Sequence, residues 1–331
     1  MTQPLDFLAI GDITTDAFIR LKDAEVHCRV DTDECEICMP FAEKIPYEFV
    51  EVVPAVGNSP NAAVAVARLG LSTALVANRG DDQNGRDCLA QIEKENIATD
   101  FINAHKGAKT NYHYVLWYHE DRTILVKHES YPYRLPAISP APRFVYLSSI
   151  GGGTEAYHDE IADWLELNPE TKLAFQPGTF QMNLGKERLA RLYRRTDIFA
   201  VNVGEARRIL KGEGEPAELL PAIQALGPKV VLISDGPKGA YMREGSESWF
   251  MPIYPDPKPP YERTGAGDAF SSTFVAALAL GKNSAEALRW AMINPMSVVQ
   301  YVGAQKGLLS RKALEEYLEN APKEYVPATI L

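Results

Sequence analysis

Apolar runs of four to seven residues alternate along this chain with longer stretches of helical period. The first run, Leu5-Asp6-Phe7-Leu8-Ala9-Ile10-Gly11, reads as a buried strand closed by glycine. Residues 61–70 are small and apolar on every side and end in Gly70, the pattern of a buried helix with a C-terminal stop. A strand at 73–77 and a helix over 87–95 follow. Beyond Phe144 the pattern becomes regular, with strands predicted at 144–149, 172–176, 197–202 and 229–234 and helical segments between them. Helices are predicted over 269–280, 284–300 and 310–320. That alternation gives an α/β fold, a mainly parallel sheet between two helical layers. Two regions break the rhythm. Residues 21–53 are charged and end in a strand at 47–53, and residues 110–128 read as a β-hairpin. Together they predict a small β lid, built from inserts at about 17–55 and 108–130 of a single domain spanning 1–331.

Composition narrows the partners. With 331 residues and a formal net charge of -10, the chain lacks the attractive field that nucleic acid or an anionic membrane needs. No apolar run reaches the roughly 20 residues of a membrane span. Residues 1–6 carry no basic leader, so a cytoplasmic protein is expected. Phosphate is then bound only by local devices such as backbone N–H groups, a helix N-terminus or a bridging cation.

One segment offers such a device. Gly265-Ala266-Gly267-Asp268 precedes an apolar helix. Small residues there let N–H groups converge on one point at the positive end of the helix, which suits a phosphoryl group in a charged transition state. Asp268 stands at its mouth, either as a base that accepts a hydroxyl proton or simply as the helix N-cap. The spacing matches neither the dinucleotide nor the Walker fingerprint, which demotes a nicotinamide oxidoreductase.

From that motif outward, the chain resembles the ribokinase-like (PfkB) family of carbohydrate kinases. Gly11-Asp12-Ile13-Thr14-Thr15-Asp16 is similar to the first strand-end of the family, and Gly57-Asn58-Ser59-Pro60-Asn61 to its glycine–asparagine segment. Asn202-Val203-Gly204-Glu205 resembles its Asn-x-x-Glu motif, Ser234–Gly239 its nucleotide turn, and Thr264–Asp268 its signature. The resemblance implies a ribokinase-like three-layer fold with a β lid and ATP-dependent phosphorylation of a sugar or sugar derivative. Asp268 would be the base, and Gly265, Ala266 and Gly267 the anion hole. Asp16, Gly57, Asn58 and Asn61 would bind substrate, and Ser234, Gly236, Gly239, Thr264 and Asn294 the nucleotide. Asn202 and Glu205 would hold Mg²⁺ through water, as befits an ion that keeps several of its waters. Three places depart from the family: Val56 for a glycine, Glu262-Arg263 for Asp-Thr, and Gln176 where an aspartate is common. The second puts a monovalent-cation site in question.

Several readings stay open. A nucleoside kinase of the same fold is the alternative acceptor class, to be favoured by an aromatic lid over the substrate. A non-catalytic ligand-binding relative is another. His27, Cys28, Cys35 and Cys38 form either a structural metal site, a redox pair or free thiols in a lid loop. His105, His113, His119, His128 and His158 read as surface or lid residues. Trp117 and Tyr118 read as packing or as a stacking platform. Exposed lid strands tend to pair with another chain, so a homodimer through the lid is expected.

Overall fold

The computed structural model describes residues 4–28, 35–119 and 121–330. The middle of the cysteine segment and the hairpin-tip residue Glu120 therefore lie outside the described residues. A ten-stranded sheet forms the frame, in the order Ala328–Ile330, Glu247–Met251, Ala240–Glu244, Val230–Ser234, Ile198–Asn202, Lys172–Phe175, Phe144–Leu147, Phe7–Ile10, Thr73–Gly80 and Ile102–His105. The seven strands from Val230–Ser234 to Ile102–His105 are parallel, and the other three join antiparallel. The chain starts at Phe7–Ile10, runs outward on one side, then returns to Phe144–Leu147 on the other. Such a reversal opens a crevice at the carboxyl ends of the strands.

Alternation along the strands builds the two helical layers. Phe7, Ala9, Leu75, Tyr146, Ala200 and Leu232 enter one core, with the helices Asn58–Arg68 and Ala266–Ala279. Leu8, Ile10, Val145, Phe175, Val201 and Ile233 enter the other, under Glu155–Leu167, Val203–Leu210 and Pro216–Gln224. Both faces are covered, as an all-parallel sheet requires. The three-layer α/β/α reading is thereby realised. The segment read as one helix over 284–300 is two, Ser284–Ala291 and Ile293–Val298. The hairpin at 240–251 was not foreseen.

The lid is a separate sheet, ordered Tyr47–Val56, Thr14–Leu21, Asn111–Tyr118 and Asp121–Leu125. Its inner face buries Phe18, Val115 and Trp117 against Val302. Trp117 is therefore packing and no stacking platform. The first lid strand begins at Thr14, within the motif read as a strand-end, so Asp16 lies on the lid's own backbone.

The cysteine cluster differs from the metal-site expectation. Glu25–Cys28 and Cys35–Cys38 pair as an exposed two-stranded ribbon, and a disulfide joins the facing Cys28 and Cys35. That bond consumes two of the four proposed metal ligands. His27 pairs instead with Glu25, and Cys38 is a free thiol. Among the described residues no group of three or more histidine, cysteine or acidic side chains is placed to hold a metal ion. None of the described helices is long and apolar enough to cross a membrane.

Candidate active site

A cleft of about 660 Å³ runs along the carboxyl ends of the parallel strands, between sheet, glycine turn and lid. Gly265 opens the helix Ala266–Ala279 with φ of 82°, in the left-handed region. A Cβ there would stand 2.2 Å from Ala304 Cβ, so no larger residue fits. Gly267 faces open space, and the nearest atom to a Cβ on it is Gln176 Nε2 at 3.9 Å. The N–H groups of Gly265, Ala266 and Gly267 donate no hydrogen bond among the described residues, as expected at a helix start left for an anion.

Asp268 is the third residue of that helix, and its side chain makes no capping bond, so the N-cap reading fails. The carboxylate is 8% exposed and meets three amides instead. Asn58 Nδ2 donates to Oδ1 at 2.7 Å, Asn61 Nδ2 to Oδ2 at 2.8 Å and Gln176 Nε2 to Oδ1 at 3.1 Å. Two of these amides, Asn61 and Gln176, are themselves oriented. Gln305 Nε2 donates to Asn61 Oδ1 at 3.0 Å, and the Tyr146 hydroxyl donates to Gln176 Oε1, which turns each NH₂ toward Asp268. Burial pushes the Asp268 pKa up, and the three amides and the Arg122 charge pull against that rise. A carboxylate that is desolvated yet still held ionised by hydrogen bonds is suited to take a proton.

Asp16, Thr14, Gly57, Asn58 and Asn61 line one end of the cleft together with His113, His128 and Phe180. Asp16 Oδ1 is buried without a hydrogen-bond partner, 3.3 Å from His113 Nδ1, and His113 Nε2 is likewise unpartnered. Unsatisfied buried polar atoms aimed at a cleft invite a polyhydroxylated ligand. Gly57, at φ of 120°, brings a backbone close to Asp12 O where a Cβ would approach to 2.7 Å. The neighbouring Val56 is buried and stays out of the cleft lining.

The other end is lined by Asn202, Glu205, Ser234, Gly236, Gly239, Arg263 and Thr264, over an apolar floor of Ile253, Met292, Met296 and Val299. Asn202 and Glu205 form a capping box on the helix Val203–Leu210, with both bonds at 2.8 Å. Burial raises the Glu205 pKa, and the Asp268 charge adds to the rise. Two carboxylates that repel each other across a cleft are a setting for a divalent cation. One expected residue is misplaced. Asn294 is fully buried, donates to Thr273 Oγ1 and accepts from Leu309 N, and so ties two helices and a loop together outside the cleft.

Of the histidines read as surface or lid residues, two lid residues also reach the cleft and one lies in the core. His113 and His128 line the cleft, and His128 Nδ1 lies 2.8 Å from Asp12 Oδ2. His158 is buried between Thr154 O and Gln181. No sequence spacing marks them, because lid and sheet meet only in three dimensions. Gln176 was visible only as a departure, and Arg122 had no signal beyond its place in the hairpin.

Comparison with known proteins follows this geometry. The sequence model described as pfkB family carbohydrate kinase matches residues 50–311. A ribokinase of Bacillus subtilis is 27% identical over 272 residues, covering 79% of this chain and 87% of its own. A 2-dehydro-3-deoxygluconokinase of Thermoproteus tenax is 25% identical over 298 residues, covering 80% and 85%. The structure of Arabidopsis thaliana ribokinase complexed with ribose and ATP superposes with a TM-score of 0.79 at 20% identity, over 96% of this chain and 99% of that one. At that identity the superposition speaks for the fold.

Proposed function

The chain belongs to the PfkB family of carbohydrate kinases, which phosphorylate sugar-like substrates at the expense of ATP, and from that premise we propose that Asp268 is its catalytic base. The observation that carries this reading is the Asp268 carboxylate, buried among three amide donors beside the unpaired N–H groups of the glycine turn. A substrate hydroxyl bound between Asp16 and Asn61 would give its proton to Asp268. Gly265, Ala266 and Gly267 would then meet the charge on the transferred phosphoryl group with N–H donors already in place.

The nucleotide belongs at the Asn202 end, where Ser234, Gly236, Gly239 and Thr264 offer small and polar contacts and Ile253, Met292 and Met296 offer an apolar bed for a base. The capping box leaves one Glu205 carboxylate oxygen and the Asn202 NH₂ free, a donor set that fits Mg²⁺ held largely through water. Bound Mg²⁺ would neutralise phosphate charge during transfer.

A sugar or sugar derivative is favoured over a nucleoside as acceptor. Among the described residues, the lid gives the cleft Thr14, Asp16, His113, Arg122, Ile124, Val126 and His128, with no indole or phenol, and Trp117 packs in the lid core. The outer face of the lid exposes Val50, Val52, Tyr114 and Leu125, and its pairing with a second copy is part of the same proposal. Sedimentation of Val50→Lys and Tyr114→Lys variants tests that pairing.

The central test is ATP-dependent phosphorylation of a panel of pentoses, hexoses, sugar acids and nucleosides by the wild type and by Asp268→Asn. The variant is expected to lose about 10²–10⁴-fold in kcat with ATP binding retained. Near-normal turnover would exclude Asp268 as the base.

A further inference from the structure

Resting on the kinase reading above, we propose that the acceptor carries an anionic group, a carboxylate or a phosphate, and that Arg122 is the residue that takes it. Arg122 lies on the edge strand of the lid, Asp121–Leu125, and turns with Ile124 into the cleft. Its Nε is buried without a hydrogen-bond partner, and no acceptor for its other donors occurs among the described residues. Nε has lost water without replacing it, while the side chain as a whole stays 30% exposed, and a ligand oxyanion would give the fork paired N–H···O bonds.

The nearest protein carboxylate does not serve. Glu262 is fully buried, and its Oε1 stands 3.9 Å from Arg122 Nε, beyond hydrogen-bond reach. Its oxygens already accept from Thr264 N at 2.8 Å, from the Thr264 hydroxyl and from Gly303 N at 3.3 Å. Glu262 thus anchors the glycine turn and offsets the Arg122 charge at a distance, leaving the donors of the fork free.

The remaining cleft residues sharpen the argument. Among the described residues its only other permanent cation is Arg263, which interacts with Asp256 toward the nucleotide end. The acceptor end otherwise presents Asp16 and Asp268, which suit hydroxyls and repel anions. A neutral sugar would leave the Arg122 fork with only the distant Glu262 charge, whereas a sugar acid or sugar phosphate would give it hydrogen-bonded oxyanions.

The test uses the whole protein with D-ribose, D-gluconate and D-ribose 5-phosphate as probes, in binding calorimetry and in ATP-dependent turnover, for wild type, Arg122→Met and Arg122→Lys. Wild type is expected to bind one of the two anionic probes at least tenfold more tightly than ribose, and the better probe identifies the carboxylate or phosphate. Arg122→Met should lose about 10- to 150-fold in affinity for it, the range for a hydrogen-bonded charged pair, with ribose changed less than about twofold; Arg122→Lys should recover part. Preference for neutral ribose in the wild type, or equal losses on charged and neutral probes, overturns the proposal. Equal losses confined to kcat would make Arg122 a contact to the transferred phosphoryl group instead. Binding is read without turnover, so failure of Asp268 as the base leaves this result readable.

Discussion

Asn61 Nδ2 donates to Asp268 Oδ2 at 2.8 Å across 207 positions of sequence. The bond joins the helix Asn58–Arg68 to the helix Ala266–Ala279 that opens on the glycine turn. With Asn58 and Gln176 it leaves the carboxylate hydrogen-bonded on both oxygens yet shielded from water.

The pH profile reports on this arrangement. Burial raises the Asp268 pKa, and only the ionised form accepts a proton. Activity should therefore fall as pH drops through a value above the ordinary aspartate range. Asn58→Ala removes a donor that favours the ionised form, so its acid limb should move to higher pH in kcat/KM. A limb that stays or moves down would contradict the assignment.

Gly265 and Gly267 should respond in opposite ways to alanine. Gly265→Ala combines a left-handed φ with a Cβ 2.2 Å from Ala304 Cβ, a loss of about 2–5 kcal/mol. Thermal unfolding measures it. Gly267→Ala has room in the helix and should leave stability intact or slightly improved. Its methyl projects into the anion space, however, and kcat should fall by about tenfold or more.

Glu205→Gln separates fold from cation binding. Glutamine preserves the capping box on Asn202, so unfolding should shift by less than about 1 kcal/mol. Loss of the charge should raise the Mg²⁺ concentration for half-maximal activity by about tenfold or more. An unchanged Mg²⁺ requirement would remove Glu205 from that role.

The Cys28–Cys35 bond makes a claim about metal content. With two thiolates tied together, elemental analysis of the oxidised protein should find well under one zinc per chain. Stoichiometric zinc would restore the metal-site reading.

Much of the frame was legible because its signals are local. The strands at Phe144–Leu147, Lys172–Phe175, Ile198–Asn202 and Val230–Ser234 are short apolar runs buried on both faces, told from the apolar helix at 61–70 by their length. The glycine turn was legible for the same reason. Asn294 was misjudged because helical position says nothing about which way an amide faces, and its partners Thr273 and Leu309 lie 21 and 15 positions away. Arg122 and His113 were missed because their meaning arises where the lid meets the sheet. The cysteines misled because ligand spacing and cross-strand pairing look alike until the register, Cys28 opposite Cys35, is known.

The 207-position gap between Asn61 and Asp268 also has a bearing on time. A ribosome adding about 5–20 residues each second needs about 10–40 s to travel from one to the other. Throughout that interval Asp16, Asn58 and Asn61 already exist, while Asp268 and the glycine turn do not. If Asp268 is the base, as proposed above, phosphoryl transfer must wait until synthesis has passed residue 268 of 331.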